Sequence, residues 1–249
     1  MNTLHATSPA RQEQAAPAAT PRVDLYAPIH KALRHFMTDT LHRVGRMDVA
    51  DADDMGRALG QLDALLEECL HHLQRENEFM HQAMEARQPR GASRTADDHV
   101  EHIDSIEALQ AEAAALRAAP QADRAMLGLR LYRHLALFVA ENFQHMHVEE
   151  THNNAVLWAH YSDAELAALH DRLLDSIPPA EKAAIGRWMV PAMTPFERAM
   201  MFGEMKAHAP APAYRAMLDA VRPHLDDTAW AKLARALGEP QAPGLVDYI

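Results

Sequence analysis

Histidine is the outlier in this 249-residue chain, with 17 residues against 24 Lys and Arg combined. Imidazole is the commonest transition-metal ligand, and a carboxylate one helical turn away lets two donors reach one ion. Three HxxxE pairs have that spacing: His72/Glu76, His81/Glu85 and His145/Glu149. In a protein of formal net charge -11 such pairs also arise as surface ion pairs, so facing must separate them. At about 100° per residue, His72 and Glu76 fall on the apolar stripe of Leu62, Leu65, Cys69 and Phe79. His81 lies opposite and is assigned, with Glu85, to solvent. The same reasoning puts Phe138, Glu141, His145, Glu149 and His152 on one face and turns His147 away.

The elements that position these residues are helices. Hydrophobic residues make up 48% of the chain but aromatics only 6%, a composition rich in Ala and Leu rather than in β-formers. Apolar side chains recurring at three- and four-residue steps predict long helices over about 28–46, 54–86, 95–119 and 123–159. Pro28 favours the first start, and Thr95 with Asp98 reads as a cap for the third. Short links between four long helices outline an all-α fold, an antiparallel up-down four-helix bundle over residues 25–160. Residues 1–24 read as a disordered leader. Prolines cut residues 161–249 into a C-terminal appendage of short helices, with capped starts at Ser162/Glu165 and Thr194/Glu197 and a tail from Glu239. Trp158, Trp188 and Trp230 are expected to anchor it on the bundle.

Height gives a second test of the histidines. Residues equally far from a turn lie level in antiparallel neighbours, and His30 with His72 centre on position 51, inside an acidic turn. Glu76 with His102 centre on Pro89, and His102 with His145 centre between 123 and 124. One histidine per helix, with Glu76 and Glu149, therefore falls in one layer. His99, three residues before His102, is the alternative donor from the third helix, and height favours His102. Buried carboxylates need a cation to offset their desolvation. Two ions bridged by Glu76 and Glu149, with about six positions each, would keep positions open for solvent and a small ligand.

This arrangement, His30, His72xxxGlu76, His99 or His102, and His145xxxGlu149, resembles the H-HxxxE-H-HxxxE pattern of the hemerythrin-like, or HHE cation-binding, proteins. The opening His30-Lys31-Ala32-Leu33-Arg34 and the paired acids Glu149-Glu150 are similar to that family as well. The resemblance covers about residues 25–160 and implies a non-heme diiron centre, two iron ions joined by an oxo or hydroxo bridge. Such proteins bind dioxygen, sense or store iron and redox signals, act on peroxide, or respond to nitric oxide and damaged iron-sulfur centres. Oxygen carriers of the family have a fifth histidine and a wider spacing to the last carboxylate, so the resemblance points to redox or peroxide chemistry instead.

Other functions recede. The basic residues form no stripe, which argues against nucleic acid, and no stretch has the uncharged apolar length of a membrane span or a secretory signal. With a single cysteine, Cys69, read as a buried hydrophobe, the chain suits a reducing, cytoplasmic setting. A ferritin-like site would need inward glutamates from the first helix, whose only acid is Asp39. The alternative from another class is a helical regulatory or interaction module with a structural metal such as zinc, working through the appendage.

Overall fold

In a computed structural model, which describes residues 22–239, every regular element is helical. The elements are α1 (Ala27–Gly45), α2 (Ala52–Arg75), α3 (Gln82–Arg87), α4 (Ser93–Ala118), α5 (Gln121–Val148) and α6 (Asn154–His160). α7 (Asp163–Ser176), α8 (Pro179–Ala192), α9 (Pro195–His208), α10 (Ala211–Val221) and α11 (Asp227–Leu237) follow. A π-helical turn, Glu76–His81, joins α2 to α3 without a break, and a second, Glu149–Asn153, joins α5 to α6. The four helices expected from periodicity are thus α1, α2 through α3, α4, and α5 through α6. α1 packs on α2 and α5, and α4 packs on the same two, closing a ring of long helices.

Leu33, Phe36, Leu62, Leu65, Leu109, Leu135 and Phe138 fill the interior of that ring. Asp51 caps α2 by accepting from the backbone N–H groups of Asp53 and Asp54. The expected Thr95/Asp98 cap does not form: α4 begins earlier, after Ala92, and Thr95 is buried within it. Glu85 instead holds the turn before α4, accepting from the backbone N–H groups of Arg90 (2.7 Å) and Ala92 (3.1 Å). No described helix is long and apolar enough to cross a membrane.

Both capping boxes expected beyond residue 161 are present, at Ser162/Glu165 and Thr194/Glu197. Helices α8 to α11 share an apolar cluster that includes Val190, Phe202, Leu218 and Leu233, and Trp230 packs against it rather than against the ring. Trp188 is the anchor, its indole stacked on Phe36 at 4.0 Å and 12°. Trp158 serves the chain start by donating to the Val23 carbonyl oxygen. Arg22 donates to Asp163 and to the Tyr161 carbonyl, so residues 22–24 run against the α6–α7 corner. The remainder of the expected leader lies outside the described residues. Glu239, expected to begin a tail, accepts instead from Lys206, Tyr214 and Arg215; the rest of that tail lies outside the described residues. Removing the stacked ring in Trp188→Ala should cost about 2–3 kcal/mol. Urea denaturation would read this as a lowered midpoint, and an unchanged midpoint would mean that the stacking carries no stability.

Candidate metal centre

The long helices converge on two overlapping groups of buried donors. His30 of α1, His72 of α2, Glu76 and Glu149 form one, and Glu76, His99 of α4, His145 of α5 and Glu149 the other, each with its ligand atoms within 4.8 Å of one another. Both carboxylates belong to both groups. Glu76 Oε1 lies 3.6 Å from His30 Nε2 and 3.2 Å from His72 Nε2, while its Oε2 lies 3.5 Å from His99 Nε2. Glu149 Oε2 lies 3.5 Å from His30 Nε2 and 3.2 Å from His145 Nε2, and its Oε1 is 3.7 Å from His99 Nε2.

These contacts are ion-pair distances without hydrogen-bond alignment. His30 Nε2, His72 Nε2 and all four carboxylate oxygens are buried with no hydrogen-bond partner. Buried polar atoms left unmatched cost about 1–3 kcal/mol each, and more when charged, so six of them aimed at one space is an arrangement that a cation resolves. The Nε2 atoms of His99 and His145 also face each other at 3.0 Å, a contact that needs a proton or a cation between their lone pairs. The residues therefore fit one or two metal ions.

The outer nitrogens explain why these rings point inward. His30 Nδ1 donates to Glu150 Oε1 (3.1 Å), His145 Nδ1 to Asp98 Oδ2 (3.2 Å) and His99 Nδ1 to Asn77 Oδ1 (2.8 Å). A proton fixed on Nδ1 leaves the Nε2 lone pair for a metal and sets the ring plane. Arg34 grips Glu150 with two bonds, Nη1 to Oε1 at 2.6 Å and Nη2 to Oε2 at 3.0 Å. Arg34 and Glu150 carry the family resemblance in the sequence but no sign of their mutual contact, and nothing local in the sequence marks Asp98 or Asn77 as an orienting group.

Several expectations change. His99, not His102, reaches the cluster; His102 stands beside His145 at 4.8 Å between ring centroids and joins neither group. The two residues differ by about 4.5 Å in rise and 60° in facing, less than a turn-centred height argument resolves. His81, assigned to solvent, is buried: its Nε2 meets the Thr95 hydroxyl at 3.1 Å and its ring stacks on His99 at 4.7 Å. The cause is the π-helical turn, whose i to i+5 bonding brings His81 back toward the side of Glu76. Glu141 and His152, placed on the donor face by a constant helical period, are exposed. Cys69 is buried and its thiol is pushed far up by burial, as suits a packing residue.

Charge is partitioned within the cluster. Burial and the neighbouring Glu149 raise Glu76, whereas Glu149, despite its burial, is held well below the carboxylate range by His145 and His99. The two facing carboxylates are thus pushed in opposite directions, Glu76 toward its neutral form and Glu149 toward its ionised form. Burial works against the His30 cation, yet Glu150 and Glu76 raise His30 to about 9. His72 is pushed far down by burial and by His30, and His81 and His102 fall to about 4 through burial and their charged neighbours.

A metal must take the place of the His30 proton, so apparent affinity for a divalent ion should rise with pH from neutrality to about 9. Calorimetry in two buffers of different ionisation enthalpy should register proton release on binding; binding without release, at an affinity independent of pH, would contradict the assignment of His30. Compared with models of known protein families and with curated proteins, the chain matches none, and the donor geometry itself carries the functional argument.

Proposed function

We propose that this chain is a hemerythrin-like diiron protein, an up-down four-helix bundle with a helical appendage, that binds dioxygen, peroxide or nitric oxide in redox sensing or oxidative-stress defence. In this reading His30 and His72 would hold one iron and His99 and His145 the other, with Glu76 and Glu149, which belong to both donor groups, shared between them. The observation that carries it is the convergence of six unpartnered buried donor atoms from Glu76, Glu149, His30 and His72, with both carboxylates shared between two histidine pairs.

Two imidazoles and two carboxylate oxygens per ion fill four of about six positions, a donor number that suits an open iron site better than a closed structural zinc site. Iron held there would supply one-electron redox chemistry and accessible coordination positions. The chain's own residues fix where that chemistry can occur. Glu150, Asp98 and Asn77 orient the rings, and Arg34 keeps Glu150 in place. Tyr26, fully buried with its ring 5.5 Å from that of His30, covers the cluster on that side. A single buried cysteine suits the proposed cytoplasmic setting.

Elemental analysis of protein made with ample iron should give two irons per chain, and the loaded form should change its visible spectrum with peroxide, dioxygen or nitric oxide. A peroxide-turnover assay then distinguishes removal from sensing. Stoichiometric zinc with no such response would replace this reading by an interaction module with a structural metal. Glu76→Ala and Glu149→Ala should each lose at least half of the bound iron while His147→Ala, an exposed site on α5, keeps it. Equal iron content in all three proteins would refute the bridging roles. Asp98→Asn should weaken metal binding about 10- to 100-fold, measured by competition with a chelator.

A further inference from the structure

Three of the four donor rings are fastened from behind, and one is not. Glu150, Asn77 and Asp98 hold the Nδ1 atoms of His30, His99 and His145, whereas among the described residues nothing holds Nδ1 of His72. His72 is also the donor that solvent reaches most, its side chain 10% exposed against 3% or less for the other five. It lines a cleft of 630 Å³ that runs from α1 and α2 to α7, α8 and α9. We propose that the His72 ring is the movable gate of the cluster, swinging off its metal into this cleft, so that ions and small ligands pass there while the other three rings stay fixed.

A ligating imidazole keeps its plane when its second nitrogen donates to a partner, and loss of that partner costs about 10- to 100-fold in metal affinity. His72 has no such partner, so turning this ring aside breaks fewer contacts than turning any other. Its Nε2 lies 3.2 Å from Glu76 Oε1 without hydrogen-bond alignment, and its ring meets that of His30 edge-on at 5.3 Å. His30 has behind it a Glu150 that Arg34 grips, and His99 is held both by Asn77 and by the stacked ring of His81 at 4.7 Å. The cleft gives the turning ring somewhere to go, since a water molecule occupies only about 30 Å³ of liquid. Methionines in its lining, Met189 and Met193 among them, are flexible enough to yield to an entering side chain. In the metal-site reading, on which this inference rests, the gate opens the ion shared by His30 and His72 and leaves the pair His99 and His145 in place.

The test uses the full chain with cobalt(II) and zinc as probes, so it does not depend on iron or on turnover. Cobalt(II) uptake by the metal-free protein, followed by its visible absorption, should be at least tenfold faster in His72→Ala, although that protein binds the ion more weakly. His99→Ala, which removes a fastened ring, should fill no faster than the parent; a ligand that is not a gate would behave in this way at position 72 as well. Met189→Trp and Leu173→Trp, which fill the cleft from separate helices, should each slow uptake at least tenfold at unchanged helix content. Leu129→Trp, at an exposed position on α5, should leave the rate unchanged. In the zinc-loaded chain, nitrogen-15 relaxation dispersion of the imidazoles should show μs–ms exchange for His72 and none for His99 or His145, a reading that needs no cleft variant to fold. A chain that takes up neither ion overturns this inference together with the metal-site reading. Binding with all the rings equally rigid, or parental uptake rates in His72→Ala and both cleft variants, overturns this inference alone.

Discussion

Two carboxylates buried opposite each other are the constraint around which this protein is arranged. Glu76 and Glu149 lie in the interior with no oxygen hydrogen-bonded, a placement that hydrophobic packing alone would never favour. Around them the molecule supplies what positive character it can: a protonatable His30, a protonatable His145, and guanidinium-backed Glu150 to hold the first ring. The apolar interior of Leu62, Leu65 and Phe138 sits along the same helices, so the stability of the ring comes from one stretch and its chemistry from another. Such a division lets a costly polar layer persist within a fold that the remainder of the core supports.

Each of those carboxylates is also the first residue of a π-helical turn. An α-helix presents one residue per face per turn, and four long helices offer few chances to crowd six donors into one layer. Widening a turn changes the phase of everything after it, which buries His81 beside His99 and carries Asn153 and Asn154 inward. Asn153 then donates to the Thr95 hydroxyl, which meets His81, tying the two widened turns together across the ring. The local irregularities are therefore mutually supporting rather than independent.

Much of the arrangement was legible from residue types and spacing. Apolar periodicity located α1 and α4 within a few residues and recognised the long helices around both π turns, because burial of one face leaves a repeated mark on the chain. The HxxxE pairs identified Glu76 and Glu149, since their turn-spaced histidines lie on the apolar side. What remained hidden depends on phase and on long-range contact. A constant 3.6-residue period cannot foresee a π turn, which misplaced His81 and His152. The choice of His99 rests on facing at a resolution finer than loop geometry allows. Asp98 was spent on a helix cap that does not form, because its pairing with His145 spans 47 residues and leaves no local trace.

The contact between Lys31 and Glu197 joins two structures that a map of the chain would keep apart. Glu197 is the acidic member of the Thr194 capping box and the acceptor of Lys31, which adjoins His30. Fraying the first turn of α9 would thus free the Lys31 ammonium, on the residue beside a donor of the cluster. The beginning of one short surface helix and the residue beside an inner imidazole are consequently held by the same acidic side chain, Glu197.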